Sequence, residues 1–274
     1  MTWHVKVKKV KKVEREKASK MKKYDPWPSG KLPLWKQRPE LALVMQQYGI
    51  TEPREVIDLF ERQIAEYCDA LYAVAVDSCT NAIFLSLKYN DTISGCMGIK
   101  QVLFQAISLP KHTYISVPQT VINTHCQLSL SFRDEKWLNS YELIYKIKNK
   151  HYKKIFDCAQ NFNQNSYIKN SFCCLSFQIK KTIPIGKGGM ILTDDFDAVK
   201  WFRKARYEGR DVTKPYDKDQ IDFIGWNMYM TPEDAARGVV LLEDHIANKR
   251  KQKVIGWENY TDLSKQKVFK RDIA

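Results

Sequence analysis

A pair of lysines beside a hydroxyl group and three glycines is the part of this chain with the clearest capacity for chemistry. The stretch from Ser176 to Lys181 reads Ser-Phe-Gln-Ile-Lys-Lys, and Gly186, Gly188 and Gly189 follow it before an apolar run. A lysine held beside a strand among apolar residues loses its proton more easily than a solvated lysine does. The free amine is then a nucleophile that can form a Schiff base with a carbonyl group. This stretch predicts amine chemistry in a glycine-bounded loop.

The elements that must position this loop alternate between strands and helices. Predicted strands are residues 71–76, 112–117, 153–157, 173–177 and 189–193, and predicted helices are residues 51–68, 82–87, 195–207 and 232–249. The last helix has the clearest start, with Thr231 as N-cap and Pro232 at the first helical position. The alternation predicts an α/β fold of three αβα layers around a mixed, mainly parallel sheet, in which ligands bind at the carboxyl ends of the strands.

Length and charge indicate how the chain is organised. With 274 residues, of which 44% are hydrophobic, it can form one sizeable domain with a small appendage. Residues 1–23 carry ten Lys and Arg but only two Glu, which is a large part of the formal net charge of +14. Such a leader either binds phosphates or an anionic membrane surface, or is a solvated arm. We predict a basic leader and extended arm over 1–47, a large domain over 48–250, and a short tail or small-domain remnant over 251–274.

Several protein classes are disfavoured by what the sequence lacks. No run of about 18 apolar residues predicts a membrane span, and a charged N-terminus is unlike a signal peptide, so we expect a cytoplasmic protein. The seven cysteines are odd in number and show no paired CxxC spacing, which argues against a disulfide framework and predicts no metal site. No zinc spacing, RNA-binding aromatic motif or helix-turn-helix pattern accompanies the basic leader, so nucleic acid is not the expected partner.

Other candidate residues follow predicted strands, and each has a structural as well as a functional interpretation. The turn Ser78-Cys79-Thr80 precedes a helix and can bind a phosphate, although Ser and Thr at this place usually act as caps. Asp157 lies at the end of a predicted strand, where it can pair with a protonated ring nitrogen or simply shape a turn. His112 is consistent with three interpretations, namely a surface residue, a core residue or a ring that stacks on an aromatic ligand.

Together, these motifs resemble a known family. Ser-x-Thr after a strand, an aromatic ring after Pro-x, Asp-x-Ala-Gln, and Ser-Phe-x-x-x-Lys with a trailing Gly-x-Gly-Gly occur in the order found in the DegT-type sugar-nucleotide aminotransferases. Those enzymes use pyridoxal phosphate and have the aspartate-aminotransferase-like fold. The resemblance extends from about Tyr48 to Gly238. It is a colinear match of five motifs, which is more specific than any one of them.

The resemblance implies a role for each matching residue. Lys181, and not its neighbour Lys180, forms the Schiff base with pyridoxal phosphate and carries the proton. Asp157 pairs with the pyridinium nitrogen, Gln160 approaches the ring hydroxyl and His112 lies against the ring. The phosphate is held by the remaining residues, which are Ser78, Cys79, Thr80, Ser176 and, from the partner subunit of a homodimer, Asn227.

The implied reaction is transamination from an amino acid, glutamate in most of the family, to a keto group on a hexose linked to a nucleoside diphosphate. Such reactions serve amino-sugar biosynthesis for surface glycans. The chain departs from the family pattern at Cys79, where glycine is usual, and at Tyr229, where arginine is frequent. Little chain follows residue 250, so we expect a compact variant with a reduced C-terminal domain. The alternatives are a non-catalytic member that binds cofactor or sugar nucleotide, and a nucleic-acid or membrane-surface binder that works through the leader.

Overall fold

The fold is built around a single seven-stranded sheet. The computed structural model describes residues 39–93, 106–131, 136–146, 152–250 and 252–270, so the leader lies outside the described residues. The strands are β1 (Tyr72–Val76), β2 (Ala106–Pro110), β3 (Gln127–Ser131), β4 (Tyr141–Tyr145), β5 (Lys154–Asp157), β6 (Ser171–Ser176) and β7 (Gly189–Thr193). The helices are α1 (Pro39–Tyr48), α2 (Glu55–Cys68), α3 (Cys79–Ile93), α4 (Ser116–Asn123), α5 (Phe196–Ala205) and α6 (Pro232–Ala247).

The sheet is mixed, as predicted. Its strand order is β1-β7-β6-β5-β4-β2-β3. Strand β7 is antiparallel to both β1 and β6, and β4 is antiparallel to both β5 and β2, whereas β5 pairs with β6 and β2 with β3 in parallel. Five strands therefore share one direction, and β4 and β7 run against them.

Helices cover both faces of the sheet and complete three layers. On one face, α1, α2 and α6 bury an apolar cluster with side chains such as Ala75, Cys173 and Leu192. On the other face, α3, α4 and α5 pack on alternate residues of the same strands, including Val74, Cys174 and Ile191. Successive side chains of a strand point to opposite faces, so one apolar run of residues supplies both clusters. The predicted αβα architecture is confirmed.

Helix α6 begins as its sequence predicts. The Thr231 hydroxyl accepts the Asp234 N–H at 3.2 Å, and Pro232 occupies the first helical position. Farther along, α6 crosses α2 so closely that a Cβ at Gly238 would lie 2.5 Å from the Phe60 ring. The absence of a side chain at Gly238 sets the spacing between these two helices.

Two sequence-based predictions are wrong. Residues 112–117, predicted as a strand, form a loop and the start of α4, because the strand ends earlier, at Pro110 of β2. Residues 39–47, predicted as part of an extended arm, lie within α1, whose Leu41 and Val44 are buried against the helices of the same face. In α1, the packing of buried apolar side chains outweighed the proline-rich signal of the residues before it. At 112–117, a short run with several apolar residues did not distinguish a strand from the start of a helix.

A buried ion pair covers the edge of β1 that has no neighbouring strand. Glu61 of α2 accepts the Ala75 N–H at 2.8 Å, and Arg206 donates to the Ala75 carbonyl at 2.6 Å. Arg206 also donates to Glu61, which is only 2% exposed. Unpaired backbone N–H and C=O groups at a sheet edge can pair with other chains, and here both groups of Ala75 are satisfied by side chains.

No helix among the described residues is long and apolar enough to cross a membrane.

We expect Glu61→Gln to lower the free energy of unfolding by about 3–5 kcal/mol, because it leaves the buried Arg206 guanidinium without its counter-charge. Urea unfolding followed by tryptophan fluorescence measures the change. Glu142→Gln is the matched control, since Glu142 pairs with a largely exposed Lys154 at 3.3 Å and its loss is expected to cost at most about 1 kcal/mol. Equal losses in the two variants would contradict a structural role for the buried pair.

Candidate active site

The candidate active site lies where several strands end at the same edge of the sheet. Gly189, the first residue of β7, pairs with Val76 at the end of β1 and with Ser176 at the end of β6. On the next strand, Asp157 is the last residue of β5 and pairs with Cys174. The loop after β1, the loop after β5 and the loop that joins β6 to β7 are therefore neighbours. The predicted motifs converge on these loops although they are far apart in the chain.

The turn between β1 and α3 forms one wall of the site. The Ser78 hydroxyl accepts the Asn81 N–H at 3.1 Å, and the Ser78 carbonyl accepts the Ala82 N–H at 3.0 Å. Ser78 is thus the N-cap of α3, which is the structural role that Ser and Thr usually have before a helix. The first N–H groups of a helix have no acceptor within the helix, and its dipole attracts anions. The cap and a site for a phosphate are compatible at this position.

Cys79 and Thr80 are directed away from each other. The Cys79 thiol donates to the Cys174 carbonyl of β6 at 3.3 Å, so it faces the sheet. Burial and the negative charges of Asp157 and Cys174 raise its pKa well above the usual value. The Thr80 hydroxyl lies 2.9 Å from the Ser116 hydroxyl at the start of α4. Thr80 and Ser116 form a hydroxyl pair that the sequence did not predict.

Gly189 lets this turn rest directly on β7. A Cβ at Gly189 would lie 2.3 Å from the Ser78 carbonyl carbon and 2.4 Å from the Cys79 nitrogen. A side chain cannot occupy that space, so the glycine is required for the close approach. An ion pair of 2.9 Å between Lys187 and Asp77 holds the glycine loop against the same turn.

Asp157 is a buried carboxylate with two hydrogen bonds. Its Oδ2 accepts the Tyr141 hydroxyl at 2.7 Å and its Oδ1 accepts the Ala159 N–H at 2.9 Å. Burial raises the pKa of Asp157, while these two bonds and the positive charge of Lys181 act to lower it. Each carboxylate oxygen keeps room for another donor. Tyr141, on the antiparallel strand β4, was not a predicted site residue.

The two lysines of the loop differ in environment. Lys181 is partly buried, and burial lowers its pKa, while the nearby Asp157 carboxylate acts in the opposite direction. Lys180 is exposed, and its N–H donates to the Gln178 side chain at 2.9 Å. The loop is a turn, in which the Lys181 N–H donates to the Gln178 carbonyl at 2.8 Å, and not an extended segment. Of the two lysines, Lys181 is the one whose pKa responds to the charge of Asp157.

The stem of this loop is anchored by Phe177. That side chain is buried, with its ring 5.3 Å from the ring of Phe60. Its N–H donates to the Gly188 carbonyl at 2.9 Å, which closes the base of the loop. Just before it, Ser176 is partly buried, and its hydroxyl accepts the Gln178 N–H at 3.4 Å. The loop therefore has a fixed base and presents Ser176 and Lys181 at the same edge of the sheet.

His112 and Gln160 meet at a residue from the C-terminal segment. The His112 Nδ1 lies 2.8 Å from the Tyr260 carbonyl oxygen, and the Gln160 amide donates to the Tyr260 hydroxyl at 2.7 Å. The ring of Trp257 packs edge-on against His112 with a centroid distance of 5.1 Å. The segment that the sequence assigned to a tail is thus part of the wall of the site. No local motif around Tyr260 could have indicated this.

Asn227 is less closely associated with the other predicted residues. Its side chain is exposed and donates to Glu208 at 2.8 Å. The next residue, Met228, accepts the Asp77 N–H through its carbonyl at 3.0 Å, so the backbone beside Asn227 lies against the turn before α3. Within its own chain the Asn227 side chain therefore contacts Glu208, while its backbone neighbour reaches the site.

The family of the chain follows from a comparison with family models. The model of the DegT/DnrJ/EryC1/StrS aminotransferase family matches residues 36–128 and 144–267, which is well over half of the chain. The chain belongs to this family. The matched regions include all of the predicted site residues in the turn before α3, the lysine loop and the strand β5.

Two curated relatives bear the name GDP-perosamine synthase. The protein from Caulobacter vibrioides (strain ATCC 19089 / CIP 103742 / CB 15) is 26% identical over 236 residues, which cover 72% of this chain and 59% of that protein. The protein from Escherichia coli O157:H7 is 26% identical over 251 residues, which cover 82% of this chain and 68% of that protein. The chain thus spans about three-fifths to two-thirds of the length of these family members.

Solved structures share the fold. The sugar aminotransferase CalS13 from Micromonospora echinospora superposes with a TM-score of 0.59 at 12% identity, covering 81% of this chain and 68% of that chain. DesV from S. venezuelae, solved in complex with a ketimine intermediate, gives a TM-score of 0.54 at 18% identity, covering 77% of this chain and 62% of that chain. These similarities confirm the aminotransferase-like α/β fold of this family member.

We expect Asp157→Asn to lower the pKa of Lys181 further, because it removes a negative charge that favours the protonated amine. The pH dependence of acetylation at Lys181, measured by mass spectrometry, reports the shift as faster labelling at a given pH. Glu142→Asn, on the solvent-accessible side of the neighbouring strand, controls for a general change of charge. Unchanged or slower labelling in Asp157→Asn would show that the two groups do not interact.

Proposed function

We propose that this chain is a pyridoxal-phosphate-dependent aminotransferase that transfers an amino group to a keto sugar linked to a nucleoside diphosphate. The observation that carries the proposal is that the partly buried Lys181, on the loop after β6, and the buried Asp157, at the end of the neighbouring strand β5, lie at the edge where the Ser78 turn meets Gly189. An amine of lowered pKa, a carboxylate and a helix N-terminus are the three groups that such a cofactor needs. The family and the names of the curated relatives support the same reaction class.

The residues present fit the cofactor. The N-terminus of α3, with Ser78, Thr80 and the backbone of Cys79, would hold the phosphate, and Ser176 lies at the end of the neighbouring strand. The place of Asp157 on β5 suits a protonated ring nitrogen, whose charge would also favour an ionised carboxylate. Because Gly189 has no side chain, the backbone of Ser78 and Cys79 can pack directly against it, and the turn keeps its shape.

Pyridoxal phosphate, when bound, supplies an aldehyde that condenses with amines and a ring that withdraws electrons from the adjacent carbon. The chain supplies the rest. Burial keeps a larger share of Lys181 in the neutral, nucleophilic form. Once displaced by the donor, its Nζ can take the proton from the donor's α-carbon and later return a proton to the acceptor. The carboxylate of Asp157 would keep the ring nitrogen protonated. Tyr141 fixes the orientation of that carboxylate by donating a hydrogen bond to it.

For the substrates, we propose glutamate as amino donor and a keto hexose linked to a nucleoside diphosphate as acceptor. Both curated relatives are named for a GDP-linked sugar, which makes GDP-linked keto sugars the first acceptors to test. The proposed role is the supply of amino sugars for surface glycans, and the expected location is the cytoplasm.

The spectrum of the reconstituted protein tests the reaction. After addition of pyridoxal phosphate we expect a visible band that shifts on addition of glutamate and that borohydride traps on Lys181. Lys181→Ala should lose the trapped product and about 10³-fold or more of the activity, because the nucleophile and the proton carrier are the same group. Lys180→Ala, one residue away and exposed, should keep both. A colourless wild-type protein would contradict the proposed enzyme.

We also propose a homodimer with shared sites, in which Asn227 of each subunit reaches the phosphate of the other. Asn227 is exposed beside the turn before α3, and large apolar side chains are exposed on the preceding loop. They include Ile224, which is 89% exposed, and Tyr216. Burial of such side chains in a contact surface is favourable. A partner subunit would cover them and complete the phosphate site.

Mixed dimers test the shared site. Lys181→Ala and Asn227→Ala dimers are each expected to be nearly inactive, but a 1:1 mixture after subunit exchange should regain about a quarter of wild-type activity, because half of the dimers then contain one intact site. Glu208→Ala is the matched control, since it removes only the local partner of Asn227. Equal losses in Glu208→Ala and Asn227→Ala, or no recovery in the mixture, would contradict the shared site.

A further inference from the structure

The segment 252–270 crosses the edge of the sheet at which the predicted site residues meet. It is joined to the residues just before β4 by backbone bonds, with the Asn139 N–H donating to the Ile255 carbonyl at 2.9 Å. Farther on, the Leu263 N–H donates to the Lys111 carbonyl at 2.9 Å, next to His112. Trp137 packs between the two attachments, with its ring 5.3 Å from that of Tyr260. The segment is therefore held on both sides of Tyr260.

Tyr260 contacts two of the predicted cofactor residues through different atoms. Its backbone carbonyl lies 2.8 Å from His112 Nδ1, and its side-chain hydroxyl accepts from Gln160 Nε2 at 2.7 Å. Gln160 is bound from a second direction, since the Gln252 amide donates to its backbone carbonyl. One residue of the C-terminal segment thus ties the loop after β2 to the loop after β5.

These contacts determine which atoms remain for a ligand. A carbonyl can only accept, so Nδ1 of His112 carries a proton and, in the neutral ring, Nε2 is left with its lone pair. The Gln160 amide has two N–H groups and gives one of them to Tyr260, so the second N–H remains for another acceptor. Burial, together with the charges of Asp157 and Cys79, raises the pKa of Tyr260. The hydroxyl therefore stays protonated, and it keeps its own proton to donate.

We propose that Tyr260 is a positioning residue that orients the Gln160 amide toward the ring oxygen of the cofactor and holds His112 in a single tautomer. The inference rests on the proposed function, because it assigns Tyr260 a role at that same site. Without the hydroxyl, the Gln160 amide is free to rotate and to present its oxygen where a donor is needed. A hydrogen bond given to the ring oxygen favours its deprotonated form, so loss of this donor should raise the pH at which the bound cofactor changes absorbance.

A double-mutant cycle between Tyr260 and Gln160 tests the role. Tyr260→Phe, which keeps the ring and the backbone carbonyl, should weaken the binding of pyridoxal phosphate about 3- to 10-fold, the range of one hydrogen bond. It should also move the pH midpoint of the visible absorbance upward by about half a unit or more. In the Gln160→Ala background the same change should alter affinity less than about 2-fold, because the group that Tyr260 positions is gone.

Tyr216→Phe is the matched control, since Tyr216 is 74% exposed and lies on a separate loop, and it should change neither measurement. Full additivity in the cycle, or an unchanged pH midpoint in Tyr260→Phe, would overturn the positioning role. A general loss of folding in Tyr260→Phe is recognised by thermal unfolding and would likewise overturn it, because the effect would then not depend on Gln160.

A measurement without cofactor separates this inference from the proposed function. In the apoprotein, the side-chain amide resonances of Gln160, assigned by their loss in Gln160→Ala, should shift in Tyr260→Phe and exchange faster with solvent. Unchanged resonances would overturn the contact itself. A wild-type protein that shows this coupling but gives no visible band would instead contradict the proposed function, on which the role toward the cofactor depends.

Discussion

The site depends on the close approach between the turn after β1 and the first residue of β7. Gly189 pairs with Val76 on one side and Ser176 on the other, and its missing side chain leaves room for the Ser78 and Cys79 backbone. The helix N-terminus and the lysine loop are therefore fixed to the same short stretch of strand. The ion pair between Lys187 and Asp77 adds a polar contact to this junction. The turn before α3 and the base of the lysine loop are joined at this strand as a result.

The electrostatics of the site follow from burial. Asp157 and Lys181 carry opposite charges in a place where each is partly or fully removed from water, so burial raises the pKa of the acid and lowers that of the amine, while each charge opposes the shift of the other. The hydrogen bonds from Tyr141 and Ala159 keep the carboxylate in one orientation. The antiparallel direction of β4 is what brings Tyr141, its first residue, beside the last residue of β5.

The C-terminal segment gives the site its outer wall. Trp257 and Tyr260 contact His112 and Gln160, which come from loops after two different strands. A segment without regular helices longer than one turn can do this because its backbone is attached at Asn139 and Lys111. The proposed cofactor residues His112 and Gln160 are thus supported by Tyr260, which lies 148 and 100 positions after them in the chain.

The sequence by itself determined what depends on local order along the chain. The N-cap and proline of α6, the alternation of strands and helices, and the colinear motifs around Ser78, Asp157 and Lys181 are all encoded within short stretches. These were sufficient for the αβα fold and for the choice of family. The distinction between Lys180 and Lys181 came from the spacing within a motif, and the difference in their burial agrees with it.

Only the tertiary structure decided the contacts between distant stretches. The direction of β4, the bond from Tyr141 to Asp157, and the approach of Tyr260 to Gln160 join residues separated by 16 to 100 positions. Such contacts arise from the packing of whole elements, and no local propensity records them. The helix found at Pro39–Tyr48 has the same origin, since its Leu41 and Val44 are buried against other helices.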